Sequence, residues 1–193
     1  MDIVAFVQSL TATDLVLGLL LASAFVFGAY EGATRGLLAL VGWVFSFIIA
    51  ANVRAPLGEW LSGYWTQYDL AYNQMLAFGV TFAVAVVVAG ILLAAFTKRQ
   101  PLIGRMPLAD EILGGLLALI VAVLVLGTIV AGINSGYGQG PELGRVDVPW
   151  LTSLREVLSE SAIARWASEA VVPLILLVMG PFSPDEFEQL VRR

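Results

Sequence analysis

Four stretches of the chain run on without a charged residue. Leu15–Tyr30 holds 16 residues, Leu37–Val53 holds 17, and Met75–Phe96 and Ile112–Ile133 hold 22 each. At 1.5 Å per residue, 22 residues make about 33 Å of helix, enough to cross a hydrocarbon core of about 30 Å. The third and fourth stretches therefore predict transmembrane helices outright. The first two, at about 24–26 Å, sit at the short end of the spanning range. Tyr30, Trp43 and flanking polar residues make up the difference by sitting at the interface.

Between the first two runs lies Glu31–Gly36, EGATRG. A single helix from Leu15 to Val53 would carry Glu31 and Arg35 near its middle, which is costly at membrane depth. The Gly-Ala-Thr sequence between them predicts a tight helical hairpin instead, with irregular backbone at the aqueous face. Ala22-Ser23-Ala24 imitates a signal-peptide cleavage site, but Met1–Asp14 has no Lys or Arg and apolar sequence continues past it, so no cleavage is expected. The second run ends at Arg54 and Pro56, leaving Arg54–Gln74 as a connecting loop.

The first 133 residues thus read as a four-helix transmembrane domain, and residues 134–149 as a Gly/Pro-rich linker. From 150 to 193 the reading is an amphipathic, interfacial segment. Leu151, Leu154, Leu158, Ala162, Trp166 and Ala170 recur every three or four residues, predicting one amphipathic helix over 150–170 on the membrane surface or on the bundle. Val171–Phe182 is apolar but short and contains Pro173 and Pro181, so it is expected to dock or dip rather than span. Ser183–Arg193 is a polar tail able to form a short helix. The fold class is an all-α membrane protein.

Composition agrees. Of 193 residues, 59% are hydrophobic and 13% charged, about half the charge of a soluble domain. Soluble, nucleic-acid-binding and disordered readings fail for want of charge. The 10 bases, against 15 acids, form no polybasic run. With the N-terminus outside, Arg35, Lys98, Arg99 and Arg105 fall in cytoplasmic loops and Arg54 alone in the external one. That count predicts both termini extracytoplasmic.

There is no Cys and no His. Disulfides, thiolate and His-ligated metal sites, Ser-His-Asp triads and the usual proton shuttle are removed together. No phosphate-binding loop, nucleophile elbow or carboxylate cluster is present, so no catalytic, cofactor or metal residue is assigned. No ionisable residue falls inside the four runs, which argues against a proton-coupled pump. Their hydroxyls, Ser23, Ser46, Thr81 and Thr128, are expected to bond their own helix backbones.

Small residues carry the strongest pattern. Gly28, Gly32 and Gly36 repeat at four-residue spacing across the first turn, where φ > 0 positions are one use for them. Gly114, Ala118 and Ala122 repeat in the fourth run and predict close helix packing, with a dimerisation face as the sharper alternative. Asp110 and Glu111 point in different directions on a helix; Asp110 is expected to cap the fourth helix. Glu31 and Arg35 are a weak, solvated couple. Trp43, Trp60, Trp65, Trp150 and Trp166 read as interfacial anchors.

Several of these residues fall into a known order. Gly28 to Trp43 reads G-x3-G-x2-R-x-x-L-x-L-V-G-W, with Ala50-Ala51 and Pro56-Leu57 following. Asp110-x-x-Leu113-Gly114 opens the fourth run, and Ser161-Ala162-Ile163-Ala164 comes later. This order resembles the colicin V production protein (CvpA) family of bacterial integral membrane proteins over nearly the whole chain. The chain departs from the family's pattern at Glu31 and Glu111, where basic residues are common, and at Ala118, Val121 and Ala122, in place of glycines and a basic residue.

The resemblance implies a multi-pass protein of the bacterial cytoplasmic (inner) membrane that supports colicin V or toxin production or secretion and envelope homeostasis. It implies no enzyme activity and no cofactor. Expected partners are the lipid bilayer and other membrane or envelope proteins, with homo-oligomers allowed and nucleic acid excluded. The alternative reading is a small oligomeric channel or transporter.

Overall fold

The computed structural model describes residues 11–96, 107–137 and 149–182. Among the described residues there is no strand, and the helices are α1 (Ala12–Glu31), α2 (Ala33–Ser62), α3 (Leu70–Phe96), α4 (Pro107–Tyr137), α5 (Pro149–Glu160) and α6 (Ala162–Phe182). All but α5 are long and apolar enough to cross a membrane. The tail Ser183–Arg193 and most of the 134–149 linker lie outside the described residues.

Helix α1 starts at a capping box. Thr11 Oγ1 accepts from the Asp14 amide while the Asp14 carboxylate accepts from the Thr11 amide, satisfying two end donors at once. It ends at Gly32, whose φ of 87° and ψ of 168° form a region open to glycine alone. That one residue separates α1 from α2. The expected hairpin is present and the single long helix is not, but the turn is one residue rather than Glu31–Gly36.

Packing partners fix the directions. Gly28 faces Gly114 and Ala118, and Gly32 faces Asp110, so α1 and α4 are antiparallel. Gly36 faces Leu117 while the Trp43 ring N–H donates to Thr128, so α2 and α4 run parallel. Phe47 meets Phe78 with ring centroids 5.9 Å apart and Gly42 faces Ala89, so α3 runs back along α2. Helices α1 and α2 touch little beyond their junction; α4 packs on both. Trp43, Phe47, Phe78 and Phe82 form the aromatic centre of the core.

Three sequence expectations change here. Arg54 and Pro56 do not end α2, which continues to Ser62. Pro56 sits on an exposed face and Arg54 is buried, its guanidinium donating to Gln74 Oε1 at 3.3 Å. The four runs themselves hold no ionisable residue, but the helices reach past them and take in Asp14, Arg54 and Asp110, all buried in α1, α2 and α4. Trp43 is buried rather than interfacial, while Trp60, Trp65 and Trp166 are exposed.

The expected amphipathic helix over 150–170 is two helices. Ser161 is extended (φ −75°, ψ 128°) and its hydroxyl accepts from the Ala164 amide, ending α5 and starting α6. The buried face then runs Ala164, Ala167, Val171, Ile175, Met179 instead of continuing the Leu151–Ala170 stripe. Within α6, Ala167–Val171 is a π turn, in which the Val172 amide reaches back to Ala167. The wider turn comes just before Pro173, which cannot donate and would crowd the carbonyl of a regular preceding turn.

Residues 171–182 therefore belong to a 21-residue helix, yet its ends show where it lies. The Ile163 amide donates to Asp14 at one end, and Asn52 donates to the Phe182 carbonyl at the other. Val171 and Ile175 in the middle pack on Gly127. Measured from the Gly28–Gly114 crossing, Asp14 and Gly127 are each about 20 Å along their helices at 1.5 Å per residue. Asn52 lies further toward the same end of α2. Helix α6 crosses the Thr11 end of the bundle and does not run beside the four spans.

Candidate functional site

Two polar or small-residue clusters hold the helices together, one at each end. At the Gly32 end, the two glycine stripes seen in the sequence pack on each other. A Cβ on Gly28 would overlap Ala118 Cβ, and one on Gly114 would lie 2.5 Å from the Gly28 carbonyl oxygen and 2.6 Å from the Gly32 carbonyl carbon. Gly36 is closed in the same way by Leu117 Cβ at 2.7 Å. Only absent side chains let the backbones approach this closely. Ala122 is half-buried further along α4.

Asp110 lies in the first turn of α4, which starts at Pro107, so it is not that helix's cap. Its Oδ2 lies 2.7 Å from where a Gly32 Cβ would be. The carboxylate thus sits at the N-terminus of α2, where its charge suits the exposed amide end of that helix. Glu111, its neighbour, is exposed. Arg35 donates to Glu31 at 2.7 Å across the Gly32 junction, with both side chains about a quarter exposed.

Midway along the bundle, Trp43 Nε1 donates to Thr128 Oγ1 at 3.2 Å, and Thr128 donates onward to the Leu124 carbonyl at 2.8 Å. Ser23 and Ser46 donate to Leu19 and Gly42, as expected of helix hydroxyls.

The Thr11 end holds the cluster that sequence reasoning missed. Asp14 is 2% exposed and Ser161 fully buried. Asp14 Oδ1 accepts from the Ser161 hydroxyl at 2.6 Å and the Ile163 amide at 3.0 Å; Oδ2 accepts from the Thr11 amide at 3.0 Å and hydroxyl at 2.9 Å. One carboxylate therefore serves two helix N-termini. The Thr-x-x-Asp spacing before an apolar run was a legible capping box; the second half of the site was not, since it comes from the far end of the chain.

At the α2–α3 connection, Asn73 is buried and donates to the Trp65 and Tyr68 carbonyls at 3.5 and 3.4 Å, closing that turn. Chemically, these groups orient helices: Asp14, Ser161, Trp43 and Thr128 each bond one helix to another or cap a helix end.

No curated protein and no solved structure matches the chain. The family model described as colicin V production protein matches residues 13–172, a span that takes in both the glycine crossing and the Asp14–Ser161 contact, and the chain belongs to that family.

Proposed function

We propose that this protein is a non-enzymatic, multi-pass component of the bacterial inner membrane, supporting toxin production or secretion and envelope homeostasis by packing against protein partners. The observation that carries the reading is how its buried polar groups are used. Asp14, Trp43, Thr128 and Ser161 bind one helix to another, which is the arrangement of a scaffold. Helix α1 rests mainly on α4 and leaves Leu15, Leu19 and Val26 exposed, an apolar face suited to lipid or a partner helix.

The orientation that goes with this reading has both termini extracytoplasmic. Arg35 lies in the first turn of α2 at the Gly32 end, and Lys98, Arg99 and Arg105 fall in the sequence that joins α3 to α4, against Arg54 toward the opposite end of α2. Arg145, Arg155, Arg165, Arg192 and Arg193 follow α4 in the chain and are left out of this count, which weighs only the connections between the four spans. The test is photocrosslinking in the membrane from Leu19 and Val26, with identification of what is captured. Discrete envelope-protein adducts support the scaffold. Purified protein that conducts ions or solutes across liposomes, and stops on Gly114→Leu, would instead make it a channel.

A further inference from the structure

Helix α2 outruns the membrane at the Thr11 end. Leu174, Leu177 and Val178 stand exposed along α6, and an apolar face on a helix that crosses the end of the bundle needs the acyl boundary around it. Asn52 of α2 meets the Phe182 end of α6 at that depth. From there α2 goes on to Ser62, about 15 Å at 1.5 Å per residue. The headgroup layer on each side of a hydrocarbon core is only about 5–8 Å thick. The turn between α2 and α3 therefore stands in water, above the level at which tryptophan and tyrosine anchor a protein to lipid.

That turn is built of aromatic rings. Trp60, Tyr64 and Trp65 are 59%, 71% and 43% exposed. Trp60 and Tyr64 hold their ring centroids 4.9 Å apart, tilted by 53°. Tyr68 meets Trp65 edge-on, with centroids 6.5 Å apart, and the buried Tyr72 at 4.7 Å. The backbone beneath is fixed: the Trp65 amide donates to the Leu61 carbonyl at 2.8 Å, and the buried Asn73 holds the Trp65 and Tyr68 carbonyls. Rings already held in place lose little freedom on binding, which suits a preformed docking surface.

The chemistry of this surface favours a cation. The faces of aromatic rings carry negative potential. Glu59, next to Trp60 in the chain, is exposed, Asp69 is half-buried, and the whole chain has a net charge of -5. Centroids 4.9 Å apart admit nothing between the rings, since two carbon contacts need about 7 Å, so a cation lies over an outer face. A guanidinium is planar and weakly hydrated, and it stacks on such faces better than an ammonium does. One exposed contact of this kind is weak, so the occupant must bring more than one. We infer that the α2–α3 turn docks an arginine-bearing segment of a protein partner. The inference rests on the proposed packing against protein partners and names the chemistry of one.

The test uses the full chain in nanodiscs of phosphatidylcholine, whose zwitterionic surface does not attract the probe. The probe is a fluorescein-labelled peptide of alternating glycine and arginine, read by fluorescence anisotropy. It is expected to bind, its lysine counterpart more weakly and its glutamate counterpart not at all. Trp60→Leu with Tyr64→Leu keeps apolar bulk but removes both ring faces, and should weaken binding about five- to thirtyfold. Both positions are exposed, and an unchanged helical circular dichroism spectrum confirms that the variant folds. Glu59→Gln should make binding less sensitive to salt. A spin label on Tyr64→Cys, the chain's only thiol, should be reached by a water-soluble nickel complex more than by oxygen. Unchanged affinity in the Leu pair, or a lysine or glutamate peptide that binds as tightly, would overturn the inference. So would a label reached mainly by oxygen, which would make the rings a bilayer anchor. An arginine peptide that does not bind, while Leu19 and Val26 still give envelope-protein adducts, would overturn this surface and leave the scaffold reading standing.

Discussion

Asp14 and Ser161 are 147 positions apart and meet in a 2.6 Å hydrogen bond in which the hydroxyl donates. The pair joins the first turn of α1 to the first turn of α6. Because Asp14 also accepts from the Ile163 amide, it acts as a cap borrowed from another helix, in addition to its part in the Thr11 box. The family match begins at residue 13 and ends at 172, so both partners of this contact fall inside the matched span, near its two ends.

Replacing Asp14 should release α6. Asp14→Ala leaves the Ser161 hydroxyl and the Ile163 and Thr11 amides without their acceptor. Hydrogen bonds to a charged group contribute about 1.5–3 kcal/mol and a lost cap about 1 kcal/mol, so a loss of about 3 kcal/mol is expected. Ser161→Ala removes one bond to the carboxylate and the hydroxyl's own cap on the Ala164 amide, but leaves the Ile163 and Thr11 amides on Asp14, and should cost about 2 kcal/mol. Denaturant unfolding in micelles measures both. A cysteine at Ala164, the chain's only thiol, should become reactive in the Asp14→Ala background. Equal stability of the two variants would contradict the double-cap account.

The glycine crossing predicts opposite effects from one chemical change. Gly114→Ala pushes a methyl into the backbone of α1 at Gly28 and Gly32, and neither backbone can move aside as a side chain would. Overpacking of this kind costs about 1–3 kcal/mol. Gly79 and Gly90 on α3 have open space where a Cβ would go. There the same substitution should stabilise by about 0.5–1 kcal/mol through lower unfolded-state entropy and better helix propensity. A shared sign for Gly114 and Gly79 would show that the α1–α4 contact is not tight.

How far the sequence led is clearest at these same residues. The uncharged runs located α1 to α4, because continuous apolar sequence has few other uses. Their ends were misplaced wherever a polar residue was buried by a partner remote in sequence. Arg54 read as a stop signal, yet Gln74 receives it inside the bundle. Asp110 read as the cap of its own helix, yet its carboxylate sits at the start of α2. Both glycine stripes were visible as patterns, but nothing local in either says that the other is its partner. The Leu151–Ala170 stripe continued through Ser161 on paper; a single extended residue, held by Asp14, changes the helix axis and the buried face. Periodicity reports one helix at a time, and the site is made where helices meet.

Gly32 offers a test that separates two kinds of backbone need. At φ 87° and ψ 168° it is outside the left-handed helical region that asparagine tolerates. Gly32→Asn should therefore be no better than Gly32→Ala, each costing about 1–3 kcal/mol from strain, with the approach of Asp110 Oδ2 added. The reading is a thermal unfolding midpoint in micelles. If asparagine restored the wild-type midpoint, the junction would be an ordinary left-handed helix end and the one-residue hairpin would need another explanation.

The placement of α6 makes a prediction about sides of the membrane. By length and composition Ala162–Phe182 could span, which would put Glu160 and Phe182 on opposite faces. The contacts with Asp14, Gly127 and Asn52 keep both at the Thr11 end. Because the chain has no cysteine, single substitutions Glu160→Cys and Phe182→Cys report cleanly. Both positions are exposed, and a membrane-impermeant thiol reagent should label the two from the same side, shared with Tyr64→Cys at the α2–α3 connection. Glu31→Cys, at the other end, should be labelled only from the opposite side. Labelling of Glu160→Cys and Phe182→Cys from different sides would make α6 a fifth span and reverse the side assigned to everything that follows it.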